Sequence, residues 1–235
     1  MGATPKTIAL MRLYNLPAET RLVMDALSPH VDGFVFQTMS ETYPSLVQMA
    51  HEHPRMLAVH ENKQPHWSNA GSLDLAMVEA VAPLEPEVVI YLDHDDLPPG
   101  PFGSILNAFR DSGRDVLTFP YIYARGDPQH VICPRPQWAN LGRHSKVARW
   151  SPKLRFDRSP GCNDPNPPHT SFASAWPLLH LYVMTPEILA VRKDRIGHRS
   201  PPWAEDSLST IPYDPNMTFR DFMIMERRLL AKEST

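Results

Sequence analysis

Two cysteines in 235 residues, Cys133 and Cys162, are too few and too loosely spaced to frame a zinc site, so both are expected to be reduced thiols. No apolar stretch approaches the roughly 18 residues that a membrane span needs. Met1 to Lys6 also lacks the basic and apolar regions of a secretory leader. These absences predict a soluble, cytoplasmic chain. There is no internal repeat and no low-complexity segment, which sets aside solenoids and arrays. What is present is enough apolar content, 42%, to bury one substantial core. Prolines are abundant at 26, and they crowd the second half, where they predict long ordered loops with little regular structure. A net charge of −3 conceals an asymmetry. Residues 1–100 carry five Lys/Arg against thirteen Asp/Glu, while residues 101–160 carry ten against four.

Apolar runs alternate with helical periodicity along the first half. Strands are expected at 7–13, 33–38, 56–59, 88–92 and 116–123, with helices at 17–27, 43–53, 73–81 and 102–109 between them. That alternation predicts an α/β fold: a mostly parallel central sheet with right-handed crossovers and helices on both faces. Residues 218–230 read as an amphipathic helix whose Phe219, Phe222, Met223, Leu229 and Leu230 dock on the core.

The run Val88 to Leu92 ends directly in Asp93-His94-Asp95-Asp96. Three carboxylates in four positions repel one another unless something positive lies among them, and a divalent cation is the economical candidate. A buried strand ending in such a knot places it beyond the carboxyl ends of the sheet, where open α/β folds bind ligands. An acidic loop capping the helix near Phe102 is the plain alternative.

In its order of features the chain resembles the GT-A nucleotide-sugar glycosyltransferases, in particular glycosyltransferase family 2. The likeness covers most of the first 125 residues: an opening strand with Arg12 and Asn15, a Ser40-containing loop after the second strand, and an acidic motif after the fourth. The second half looks like the subset related to lipopolysaccharide-core sugar transferases. It matches through Lys146 with Arg149-Trp150, the loop Gly161-Cys162-Asn163-Asp164, the segment Pro177-Leu178-Leu179-His180, and Arg192, Lys193 and Arg195.

The resemblance implies a GT-A (Rossmann-like) fold in one domain, with a nucleotide-sugar half at 1–125 and a loop-rich acceptor and catalytic half at 126–235. It implies a metal-dependent, inverting transfer of a sugar from a nucleoside-diphosphate sugar, a UDP-sugar by default, to a hydroxyl acceptor. Asp93 would face the donor ribose and Asp95 would bind Mn²⁺ or Mg²⁺, with Asp93 and His180 on the metal side as well. Asp96 would stand beside them as a helper or a helix cap. Arg12, Thr38 and Ser40 would contact the donor, and Arg192, Lys193 and Arg195 would stabilise the leaving diphosphate. Asp164 stands where the catalytic base is found, with Glu205 and Asp206 as the second candidates.

Residues 125–158 hold eight Lys/Arg against two Asp, interleaved with Trp138 and Trp150. Arg143, Lys146, Arg149, Trp138 and Trp150 are therefore expected to meet an anionic acceptor, either a bacterial saccharide or DNA with a hydroxymethylated base. Two other classes fit the same acidic knot: a metal-dependent nucleotidyl or phosphoryl transferase, and a noncatalytic nucleic-acid-binding module.

Overall fold

The computed structural model describes residues 6–63, 70–125, 127–132, 143–152, 155–159, 162–166, 170–181 and 210–233. Strands β1 (Thr7–Arg12), β2 (Gly33–Thr38), β3 (Met56–Glu61) and β4 (Val88–Asp93) run parallel in the order β3-β2-β1-β4. Helices α1 (Pro17–Leu27), α2 (Pro44–Glu52) and α3 (Ala70–Val81) lie between them in the chain. Proline opens both α1 and α2, where its fixed φ suits the first turn and its missing N–H costs nothing.

Every residue of β1 and β2 is buried, as expected for parallel strands covered on both faces. Their alternation divides them between two cores. Ala9, Met11, Phe34, Phe36, Ile90 and Leu92 pack on one face with Val23 and Leu27 of α1 and Leu46 and Ala50 of α2. Helix α4 (Phe102–Ser112) joins the same face through Phe102, Ile105, Leu106 and Phe109, a helical i, i+3, i+4, i+7 stripe. It stops at Gly113, whose φ of 67° is the left-handed conformation that terminates helices cheaply only at glycine. On the other face Ile8, Leu10, Val35, Val89 and Tyr91 pack against Met77, Val78 and Val81 of α3.

Beyond β4 the chain is richer in strands than its prolines suggest. β5 (Asp96–Leu97), β6 (Val116–Arg125), β7 (Asp127–Ile132), β8 (Arg143–Arg149), β11 (Ser171–Ala173), β12 (Leu178–His180) and β13 (Thr210–Pro212) all extend the central sheet. β9 (Arg155–Ser159) and β10 (Cys162–Asn166) form a separate two-stranded ribbon. The long loops expected there are therefore interrupted by short ladders, which period-based reading of three-residue segments does not detect. β8 inserts antiparallel between β4 and β6, so one sheet spans both halves of the chain.

The last helix, α5 (Phe219–Glu233), starts from a reciprocal cap. The Asp221 amide donates to Thr218 Oγ1 at 3.2 Å and the Thr218 amide donates to Asp221 Oδ2 at 3.3 Å. Phe222 is buried in the first core, with Phe219 and Met225 packed against it. The mostly parallel, helix-flanked sheet is consistent with a Rossmann-like GT-A fold. Among the described residues no helix is long and apolar enough to cross a membrane.

Candidate active site at the end of strand β4

Three strand ends converge where β4 runs out. The parallel register of β1 and β4 sets Arg12 opposite Asp93. The antiparallel register of β8 pairs Val147 with Ile90 and so carries Lys146 toward the end of β4. β12 pairs His180 with Asp96 on one side and with Tyr123 of β6 on the other. No local pattern in any of these segments specifies the meeting; the sheet topology does.

The carboxylates are answered by the chain's own cations. Arg12 Nη2 donates to Asp93 Oδ1 at 2.7 Å, and Lys146 Nζ lies 3.1 Å from Asp93 Oδ2 and 2.9 Å from Asp96 Oδ2. His180 Nδ1 is 2.8 Å from Asp96 Oδ1, and its Nε2 is 3.7 Å from Asp95 Oδ2. The Tyr121 hydroxyl donates to Asp96 Oδ2 at 2.7 Å. Lys146 is 2% exposed, with its ammonium between the rings of Tyr91 and Tyr121.

Burial raises the Asp93 carboxyl, but Lys146 and Arg12 outweigh it and hold Asp93 well below the usual carboxylate range. Burial likewise opposes ionisation of Asp96, and Lys146 with the His180 hydrogen bond brings it down to about 2. For His180 burial favours the neutral ring, yet Asp95 and Asp96 push it up to about 9. Lys146 is raised above its ordinary value because Asp93 and Asp96 overcome its burial. Burial and the neighbouring Asp96 raise Tyr121 well above the ordinary phenol value. His144, edge-on to Tyr121 at 4.1 Å, is lowered to about 4 by burial and then by Lys146, so its ring is neutral near pH 7.

Charge balance here differs from what the acidic run alone implies. Arg12, Lys146 and a protonated His180 match the three carboxylates one for one without an added ion. A cation would therefore enter by displacing the proton of His180, not by relieving three bare charges. The donors nevertheless suit one. Asp95, Asp96 and His180 each present a ligand atom within 4.8 Å of the others. Adjacent ligands on a cation with bonds of about 2.1 Å lie about 3 Å apart, so the 3.7 Å between Asp95 and His180 needs only a small closure. The carboxylates suit a hard cation such as Mg²⁺, and an imidazole donor tilts the preference toward Mn²⁺.

Asp93, expected among the metal-side residues, is paired with Arg12 and Lys146, and Asp96 is the carboxylate that lies within reach of both Asp95 and His180. Arg12 is at the cluster, as a partner of Asp93. His94 Nε2 faces Asn15 Oδ1 across 3.4 Å, drawing the loop after β1 to the same place. That loop holds Leu16 at φ 68°, an uncommon conformation for a bulky side chain.

Thr38 and Ser40 line a separate cavity of about 560 Å³ beyond β2 and β3, with Thr42, His51, Glu61 and Asn62. Its loop is held by Thr42 Oγ1, which accepts from the Met39 amide and donates to the Leu13 carbonyl, both at 2.8 Å.

Lys146, expected to contact an acceptor, is instead sealed under the acidic cluster. Arg149 and Trp150 lie at the opposite end of β4, roughly 16 Å away at 3.3 Å per residue. There Arg149 donates to the carbonyls of Arg110 and Arg114, and Trp150 packs on the second core. Arg143 lies on β8 and Asp164 on β10, opposite Asp157 in the ribbon. Trp138, Arg192, Lys193, Arg195, Glu205 and Asp206 lie outside the described residues. Sequence reading missed Tyr121 and His144 and misplaced Lys146. The sequence signal for Lys146 is weak: it has the apolar pair Val147-Ala148 on one side only, although residues 145–148 are all buried.

No protein-family profile matches the chain, and no curated protein does. Among solved structures it is similar to S. aureus TarS, in a crystal structure of residues 1–349. The identity is 17% and the TM-score 0.41, over 61% of this chain and 47% of that one. It is also similar to the 4-diphosphocytidyl-2C-methyl-D-erythritol synthase of Anaerococcus prevotii DSM 20548, at 9% identity and a TM-score of 0.39. That likeness covers 63% of this chain and 72% of that one. This chain thus spans about half the length of the TarS structure. At such scores neither likeness carries a functional argument.

Proposed function

We propose that this chain is a divalent-cation-dependent glycosyltransferase that moves a sugar from a nucleoside-diphosphate sugar to a hydroxyl acceptor with inversion. The observation that supports this reading is the Asp95/Asp96/His180 cluster at the carboxyl end of β4, beside an Asp93 fixed by Arg12 and Lys146. Breaking a sugar–diphosphate bond builds negative charge on the departing phosphates. A cation held by this cluster supplies stabilisation for that charge. In this reading Asp93, partly exposed beside Arg12, accepts hydrogen bonds from donor hydroxyls next to the cation.

The acceptor hydroxyl must lose a proton as it attacks, and Asp164 is the base in this reading, with Glu205 and Asp206 as the competing candidates. Arg192, Lys193 and Arg195 add diffuse positive charge for the leaving group. Two of the eight cations between residues 125 and 158, Lys146 and Arg149, are committed inside the fold. Support for a polyanionic acceptor such as modified DNA is reduced accordingly, and a saccharide hydroxyl is the preferred acceptor. The test is a screen of sugar nucleotides with Mg²⁺ or Mn²⁺. Cation-dependent release of nucleoside diphosphate supports the reading; pyrophosphate release from a nucleoside triphosphate, with no turnover of sugar nucleotides, overturns it.

A further inference from the structure

Asp96 differs from its neighbours in how completely its oxygens are engaged. It is fully buried. Oδ2 accepts from the Tyr121 hydroxyl at 2.7 Å and faces Lys146 Nζ at 2.9 Å, with the Asp93 amide at 3.4 Å. Oδ1 faces His180 Nδ1 at 2.8 Å. A carboxylate oxygen offers about two lone-pair sites. Three donors already meet Oδ2, so an ion there would have to displace the buried ammonium or the phenol, and an ion on Oδ1 would have to share that oxygen with the imidazole.

An ionised carboxylate only accepts hydrogen bonds, so the proton between Asp96 and His180 sits on Nδ1. Nε2 is then the nitrogen with a lone pair to offer, and it points at Asp95 Oδ2, 3.7 Å away. The ring is held in that pose from its sides as well. Tyr121 and Tyr123 meet it edge-on, at 5.9 and 5.6 Å and nearly perpendicular, and the β12 register fixes its backbone between Asp96 and Tyr123.

We propose that Asp96 is a positioning residue and not a ligand: it fixes the tautomer and orientation of His180, so that Asp95 Oδ2 and His180 Nε2 are this cluster's donors to a divalent cation. This rests on reading the cluster as a cation site. Tyr121 and Lys146 form the next layer, holding the Asp96 carboxylate where the imidazole needs it. Such outer partners tune a metal site by aiming a ligand, and their loss weakens binding without removing it.

The test is a Mn²⁺ titration of the full chain at pH 8, followed by the loss of the free-ion paramagnetic resonance signal. Asp95→Asn and His180→Ala should abolish saturable binding. Asp96→Asn should retain it with affinity about 10- to 100-fold weaker. Because Asp96→Asn leaves Lys146 with one anion fewer, the pair Asp96→Asn/Lys146→Met is measured beside it, with folding checked by circular dichroism. In the Mg²⁺-saturated wild type, ¹⁵N-histidine spectra should show one ring with an exchange-protected proton on Nδ1, and this signature should vanish in the Asp96 variants.

Loss of binding in folded Asp96 variants as complete as in Asp95→Asn would make Asp96 a ligand and overturn the proposal. Unchanged affinity, or a wild-type proton on Nε2, overturns it too. A wild type that binds neither ion removes the cation reading and this proposal together, whereas a wild type that binds while its Asp96 variants are unaffected removes this proposal alone.

Discussion

The two ends of the central sheet are both rich in charge, and they use it differently. At the amino end of the strands, charged side chains complete the backbone. Asp32 accepts from the amides of Lys6 and Thr7 at 2.7 and 2.8 Å, and Arg55 donates to the carbonyls of Ser28 and Val31. Arg149 does the same for the Arg110 carbonyl in the last turn of α4, a favourable place for a cation, and for the Arg114 carbonyl just beyond it. At the carboxyl end, side chain meets side chain: Arg12, Lys146 and His180 against Asp93, Asp95 and Asp96. Charges that satisfy main-chain groups close a surface. Charges that face one another around a strand end form an adjustable set, in which an incoming cation can exchange with a proton.

The largest expected effect falls on the adjustable end. Asp95→Asn should abolish cation-dependent donor binding and turnover while leaving the unfolding midpoint nearly unchanged, because an amide cannot replace a carboxylate on a hard cation. Persistence of Mg²⁺- or Mn²⁺-dependent turnover in this variant would dissolve the distinction between the two ends.

Lys146→Met comes next. It strips a buried counter-ion from Asp93 and Asp96 and should cost about 3–5 kcal/mol of stability by urea unfolding. Arg149→Met at the other end loses hydrogen bonds to carbonyls and a cation–π contact with Phe109, with no buried counter-ion stranded, and should cost about 1–3 kcal/mol. Equal costs would show that the two ends are energetically alike. Asp164→Asn should lower turnover by about 10²-fold with little change in donor affinity, since a base acts only as the hydroxyl attacks. Asp206→Asn is its control; the reverse result would move the base to Asp206.

The smallest effect is in pH dependence, and its sign depends on the cation. In the cation-free protein the folded His180 titrates at about 9 against 6.5 when unfolded, so its contribution is fully present below pH 6.5 and fades as pH rises through 9. Asp96 runs the opposite way: its contribution is present above 3.8 and is lost as pH falls toward 2. Cation affinity should instead rise toward pH 9, by up to about tenfold per unit, as the competing proton leaves His180. His180→Gln should flatten the alkaline limb of the stability profile measured by thermal unfolding. A stability loss between pH 6.5 and 9 that survives this substitution would assign it elsewhere.

Helical and strand periods were legible wherever an element was long enough to show them, as in β1 to β4 and α4, and the acidic run after Leu92 marked where β4 ends. The short ladders β11, β12 and β13 were not, because three residues carry no period. His180 was named from resemblance, and a histidine between two leucines reads equally well as a core residue.

The sequence by itself determined the alternation that buries β1 and β2 on both faces, the helices beside them, and the placing of three carboxylates beyond β4. Those are local facts, set by side chains a few residues apart. Which charges answer the carboxylates was decided only by tertiary structure. Lys146 and His180 arrive 53 and 84 residues after the aspartates they pair with, on strands whose positions come from sheet pairing. The physical reason is that an ion pair depends on distance in space, and distance along the chain does not encode it.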